Sequence, residues 1–388
     1  MVPVYRNISV SNLARSVKAF LRQEARLARG KAQSKNLERQ LARTQKRLNQ
    51  TRQQLAEVRS RKDTPIFFVV GRPKSGTSWL QGTLGRHPEI LCRGEGEFFG
   101  RDYGNGQPKA NQTLLYDIRP PSRRSLYTAL AQSEPLRRWI ERSTWTHGDD
   151  TEEHIANLTR EAIYYFLTER LSKSNNRIVG DKTPFASPEI IKEISVICPE
   201  AKVIHIIRDG RDVAVSQLHH MWRGAAADGG WFHVTPEELH IRDRYWKDPQ
   251  ELLGSGEGIF TEGRLREAAE GWKSDVGAAR RDGPVLLGDN YTEVRYEDML
   301  ERPEEEFGRL FRFLGARAGK GRVARCVEAT SFEKRSGGRE RGQEDSRSHE
   351  RKGIAGDWRN VFTERERIIF KEIAGDLLIE LGYEKPEA

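Results

Sequence analysis

Apolar residues come in two rhythms along this chain. Ile66-Phe67-Phe68-Val69-Val70 is an unbroken apolar run, the pattern of a parallel strand covered on both faces. It breaks at Gly71 and Pro73, and a helical pattern begins near Thr77. Similar runs predict a second strand over 88–92, a third over 178–184 and a fourth over 201–207, and a last strand is approached over 285–294. Between them lie helical periods. Thr151 to Leu171 reads as a helix with Ile155, Leu158, Ala162, Tyr165 and Phe166 on its apolar face. Leu265 to Arg280 reads as another around Trp272, and Pro303 opens a third. Thr363 with Glu366 predicts a capping box for the last helix. Strands alternating with helices predict an α/β fold, a central parallel sheet between two helical layers.

The first 62 residues have a different rhythm. Leu41, Leu48 and Leu55 recur every seven residues, interleaved with Leu37, Thr44, Thr51 and Val58. That predicts a helical leader with a coiled-coil seam, weakened by its threonines, able to pair two copies through residues 34–60. Ile8, Leu13, Val17, Phe20 and Leu21 among cations could instead rest residues 1–30 on an anionic membrane surface. The predicted division is therefore a leader over 1–62 and a globular domain over 63–388. Within the domain, 101–150 reads as an insertion over the site. Residues 222–262 lack clear periodicity and read as a mobile flap, and 333–350, almost wholly charged or small, as a loop that orders with ligand.

Charge sharpens that division. The chain of 388 residues carries a formal net charge of +9. Residues 1–62 hold 16 Lys/Arg against 3 Asp/Glu, and the rest hold 50 against 54. The basicity belongs to the leader and not to the body; a nucleic-acid arm in the leader would need neither a helix seam nor aromatics, and nucleic acid is not an expected partner of the chain. Three separated cysteines, Cys92, Cys198 and Cys326, suggest neither a disulfide framework nor a metal cluster. No run approaches the ~20 apolar residues of a membrane span, and Met1 to Phe20 has no signal-like apolar core. A cytoplasmic setting is the expectation.

The chemistry gathers where strands end. After the first strand, Gly71 to Ser78 combines glycines, Lys74 and the hydroxyls of Ser75, Thr77 and Ser78 ahead of a helix start. Free N–H groups and the helix dipole there suit a phosphate. A Walker loop would place lysine after the second glycine; here Thr77 follows Gly76 and the lysine lies inside the loop. Trp79 offers a flat face for a base. Glu95 and Glu97 follow the second strand among glycines, as reacting groups or as solvated loop acids. Lys182 ends the third, with a plain surface lysine as the alternative. Arg208 ends the fourth, and Ser216 lies on the helix after it. Arg208 and Ser216 could share an anion, or Arg208 could pair with Asp209 or Asp212. Arg351-Lys352-Gly353 brings two cations and a glycine near the C-terminus.

Together and in this order, these motifs resemble the sulfotransferases that use 3′-phosphoadenosine 5′-phosphosulfate (PAPS) and release the 3′,5′-bisphosphate (PAP). Lys74-Ser75-Gly76-Thr77-Ser78-Trp79-Leu80 is similar to that family's 5′-phosphosulfate loop, and Arg208 with Ser216 to its 3′-phosphate element. Arg351 to Asn360 with Phe362-Thr363 is similar to the C-terminal signature of the cytosolic branch. Tyr296, Thr330 and Phe332 match its adenine-side positions. The resemblance spans 65–383 and implies the P-loop-like sulfotransferase fold. It implies donor contacts from Arg72, Lys74, Ser75, Gly76, Thr77, Ser78, Trp79, Arg208, Ser216, Tyr296, Thr330, Phe332, Arg351, Lys352 and Gly353. Trp79 and Phe332 would sandwich the adenine.

One departure concerns the base. Cytosolic members carry Lys-Thr-His where this chain has Lys182-Thr183-Pro184, so the histidine is missing. Carbohydrate-modifying and some bacterial members use a glutamate after the second strand, in the heparan type three residues before a Phe-Phe pair. Glu95 stands three before Phe98-Phe99. The resemblance therefore implies Glu95 as base, with Glu97 in reserve, and Phe98 or Phe99 as a desolvating wall. Lys74 and Lys182 would stabilise charge, with no metal called for. The expected reaction moves a sulfuryl group to a hydroxyl, or an amine, of a carbohydrate, lipid or small molecule. A P-loop kinase or NTPase, or a non-catalytic nucleotide-binding protein, is the rival.

Overall fold

The computed structural model describes residues 43–47, 64–100, 125–184, 188–225 and 234–386. The chain divides into two units, Met1–Asp63 and Thr64–Ala388. In the first, residues 43–47 are helical and exposed. Apart from those five, the heptad seam of 34–60 and the membrane-facing stretch of 1–30 lie outside the described residues. Among the described residues no helix is long and apolar enough to cross a membrane.

The second unit is built on five parallel strands: β1 (Ile66–Val70), β2 (Ile90–Gly94), β3 (Ile178–Lys182), β4 (Lys202–Ile207) and β5 (Tyr291–Arg295). Their order is β2-β3-β1-β4-β5. All of β1 is buried because alternate residues enter two different cores. Ile66, Phe68 and Val70 pack with the helices Thr151–Leu171 and Ile190–Ile197. Phe67 and Val69 pack on the other face with Thr77–Leu84 and Pro303–Phe313. The expected three layers follow from this alternation. Gly180 lies opposite Phe67 in the register. A Cβ there would stand 2.4 Å from the Phe67 ring, so the missing side chain is what admits the ring across β3.

The strand order positions the site. The connection from β1 leaves toward β2, on one side, and that from β4 leaves toward β5, on the other. The crevice at the carboxyl ends of β1 and β4 is therefore the switch point where open α/β sheets bind ligands. Lys182 pairs with Val69 and with Gly94 in the register, so the ends of β1, β2 and β3 meet at one level.

Three expectations are corrected here. The helix Thr151–Leu171 buries Ile155, Ala156, Thr159, Ile163 and Leu167. Leu158, Tyr165 and Phe166 stay exposed. Thr159 can join the buried face because its hydroxyl donates to the Ile155 carbonyl at 2.8 Å. The helix around Trp272 runs Glu262–Leu287, past Pro284, whose missing N–H removes only one bond close to the helix end. The 222–262 stretch, read as without periodicity, carries the helices Pro236–Lys247 and Pro249–Gly254. The first has a complete capping box from Thr235 and Glu238. Within the 333–350 stretch, Arg339 donates to the carbonyls of Gln343 and Arg351 and to the Ser348 hydroxyl.

Candidate active site

The loop after β1 is an open cradle. Gly71 must be glycine, since a Cβ would stand 2.7 Å from Ile206. Gly76, at φ 98°, caps the helix Thr77–Leu84 in a left-handed conformation with no side-chain cap. The first-turn N–H groups therefore keep their anion-binding character. Ser75 is buried, and its Oγ has no partner among the described residues. Lys74 also has a positive φ, 77°, unusual for a side-chain-bearing residue. Its pKa is lowered from 10.5 to about 8, first by burial and then by the nearby charges of Arg223, Arg208 and Lys182. A concentration of cations around one lysine suits an anion there.

The second wall is built on β2 and β3. Lys182 Nζ donates to Glu95 Oε1 at 2.6 Å and reaches Ser78 Oγ at 3.3 Å. One ammonium thus links the glutamate to the loop helix. The Glu95 N–H donates back to the Lys182 carbonyl at 2.8 Å. Glu95 and Glu97 both have positive φ, 60° and 51°, a strained turn about Gly96. Asp181 holds it. Its carboxylate accepts the Gly96 N–H at 3.1 Å and the Thr183 hydroxyl at 2.8 Å. Burial pushes Asp181 up to about 6, against those two hydrogen bonds and the Lys182 charge. Phe98 and Phe99 are buried in the core, Phe99 edge-on to Phe68. The Glu95 side chain is 53% exposed, so the expected aromatic wall does not enclose it.

Arg208 joins the two ends of the crevice. Its Nη1 donates to the Lys74 carbonyl and its Nη2 to the Ile354 carbonyl, both at 3.1 Å. The guanidinium lies over the Tyr296 ring, 4.4 Å from the centroid, and 3.7 Å from Asp212. Its Nε is buried without a partner among the described residues. Trp272 fixes the backbone here, donating from Nε1 to the Arg208 carbonyl at 3.1 Å. The ring also lies where a Cβ on Gly210 would stand, 2.5 Å away. Ser216 sits on the helix Gly210–Gly224, partly exposed. That helix is bound to the cradle by Gln217, which donates to the Pro73 carbonyl at 3.2 Å.

The other expected residues divide. Tyr296 is buried beneath Gly76, where a Cβ would come 2.6 Å from its ring. Trp79 is buried edge-on to Tyr296 and Phe307, part of the core under the loop. Phe332 packs under Gly353 and faces Arg339. Thr330 bonds Thr83 at 2.6 Å and the Cys326 carbonyl at 3.1 Å, a tie between two helices. Arg72 forms a buried ion pair with Asp275. Arg351 and Lys352 are each paired with Glu344 and Asp357. Asp357 is held down at about 2 by these cations against its burial.

Four side chains here, Asp181, His220, Arg223 and Trp272, are given no role in the donor site by the sequence. Asp181 was visible only as a neighbour of Lys182. His220 and Arg223 follow Ser216 at four and seven residues, a helical spacing that was there to be read. Trp272 carried no signal beyond its helix.

A family model described as "Sulfotransferase domain" matches residues 64–382. Sulfotransferase 1A1 of Canis lupus familiaris is 27% identical over 173 residues, covering 42% of this chain and 50% of that protein. Nodulation protein NoeE of Sinorhizobium fredii (strain NBRC 101917 / NGR234) is 26% identical over 328 residues, covering 82% and 66%. The chain thus spans about half the length of the dog protein and about two thirds of the nodulation protein. A crystal structure of mouse sulfotransferase SULT7A1 complexed with PAP has a TM-score of 0.42 and 18% identity, over 82% of this chain and 89% of that one.

Proposed function

This chain belongs to the sulfotransferase domain family, and from that premise we propose that it transfers a sulfuryl group from PAPS to a hydroxyl, or an amine, of a carbohydrate, lipid or small-molecule acceptor. The observation that carries this reading is the crevice shared by the Lys74 loop and Arg208, closed by a 3.1 Å hydrogen bond between them. A nucleotide with an anion at each end suits a cradle with a cation at each end. The buried Ser75 Oγ and Arg208 Nε, without partners among the described residues, support the fit, as polar atoms that a ligand would satisfy.

Donor binding falls to the cradle N–H groups, Ser75, Thr77, Ser78 and Lys74 at the 5′ side, and to Arg208 and Ser216 at the 3′ side. Tyr296 and Trp79 support the loop from below, and Phe332 and Gly353 border it from the C-terminal segment. Arg351 and Lys352 reach the 3′-phosphate by sharing charge now given to Glu344.

Glu95 accepts the proton that the acceptor hydroxyl loses as its oxygen bonds to sulfur. General-base help of this kind is worth typically ~10²–10⁴-fold. The bridge from Lys182 to Glu95 and Ser78 supports a role for it in stabilising charge on the transferring group; Lys74 neutralises the phosphate oxygen whose bond to sulfur breaks. Such transfer is governed by alignment and charge. The test is transfer of label from sulfur-labelled PAPS to a panel of hydroxyl and amine acceptors. Absence of any labelled product, with PAP binding intact, would leave a binding protein instead.

A further inference from the structure

The helix Gly210–Gly224 turns one face to the crevice. Asp212 on that face accepts the Gly356 and Trp358 N–H groups, at 2.6 and 3.0 Å. This fixes the rotation of the helix against the C-terminal segment. Ser216, His220 and Arg223 fall on the same face by their spacing, and Arg223 stands about 10 Å beyond Ser216 along the axis. Arg223 Nη2 donates to His220 Nδ1 at 3.0 Å, so the histidine orients it. Among the described residues Arg223 has no carboxylate within ion-pair distance, and its Nε is buried without a partner. Burial lowers its pKa. His220 is lowered to about 3, first by burial and then by Lys74 and Arg223, so it stays neutral and can accept from Arg223. Arg223 is also the foremost charge acting on Lys74. Glu350 acts on both Lys74 and Arg223, and Asp345 acts on Arg223, but among the described residues no carboxylate is bonded to either cation, which leaves their donors open to an anion.

We propose that Arg223, oriented by His220, forms with Lys74 an oxyanion subsite beyond the donor's 5′-phosphate, taking either the transferring sulfuryl group or an acidic group on the acceptor. This rests on the PAPS reading above. The 3′ end of the donor is matched by Arg208 and Ser216, and its 5′-phosphate by the cradle N–H groups. Arg223 lies past both and adds a charge that the nucleotide PAP alone does not need.

The test uses calorimetry on the full chain with PAP, PAPS and inorganic sulfate, the last titrated into the PAP complex. Wild type is expected to bind sulfate, and Arg223→Gln to bind it about tenfold or more weakly, the scale of one charge-assisted hydrogen bond. Arg223→Lys should recover part of the loss, which also guards against a variant that merely misfolds. If PAPS weakens in Arg223→Gln while PAP does not, the anion is the sulfuryl group. If neither nucleotide weakens but sulfate does, it is an acidic group of the acceptor. Sulfate binding unchanged by the substitution, no sulfate binding in wild type, or PAP and PAPS weakened by one factor would each overturn the subsite. Wild type that fails to bind PAP would instead end the donor reading on which it rests.

Discussion

Arg208 donates from Nη1 to the carbonyl oxygen of Lys74 at 3.1 Å, so the end of β4 and the loop after β1 form one rigid corner. The same guanidinium reaches the Ile354 carbonyl. One side chain therefore aligns three segments that lie 134 and 146 residues apart.

Arg208→Ala should weaken PAP binding by about 1.5–3 kcal/mol, the range for hydrogen bonds to a charged group. The loss combines a missing phosphate contact with a loosened loop. Arg208→Lys should recover charge but not the two carbonyl contacts, and fall between. Calorimetric affinity for PAP equal to wild type in the alanine variant would refute the assignment.

Glu95→Gln should lower kcat by ~10²–10⁴-fold and leave PAP affinity within a few-fold. The amide cannot take a proton, though it can still accept the hydrogen bond from Lys182. Unchanged turnover would transfer the role to Glu97.

Asp181→Ala removes the acceptor that holds Gly96. Turnover should fall with PAP affinity preserved, because the turn that aims Glu95 relaxes. The Asp181 pKa is raised from 3.8 to about 6 in the fold. Between those values the native state binds more protons than the unfolded chain, so this group makes stability fall as pH rises through that window. Denaturant melts from about pH 4 to 6 should show that slope in wild type and lose it in the variant.

Lys74 should make donor affinity depend on alkaline pH. Its folded pKa is about 8 against an ordinary 10.5. As pH rises past about 8 the free site loses its ammonium, and PAP binding must then take up a proton. Affinity should be weaker at about pH 9.5 than at about pH 7, and Lys74→Met should flatten that contrast. The stability slope has the opposite sense. Between 8 and 10.5 the unfolded chain binds more protons, so this group makes stability rise with pH there. Parallel pH profiles for the two proteins would reject the shift.

The strands, the cradle after Val70, the capping box of the last helix and each basic motif were legible in the chain. Each depends on residues within a few positions of one another. An apolar run encodes burial, a glycine at a turn encodes the conformation it needs, and Thr363 with Glu366 encodes a helix start.

Tertiary structure alone decided which charges meet. Arg72 reads like a loop cation, but Asp275 reaches it from a helix some 200 positions on and holds it in a buried pair. Arg351 and Lys352 read like open cations, yet Asp357 and Glu344 engage both. Leu158 and Phe166 have the right spacing for a buried face, and Ile163 and Leu167 win it because the neighbouring helices lie on their side. Spacing fixes direction around a helix or along a strand; partners hundreds of residues away are chosen by sheet order and packing, which no local pattern contains.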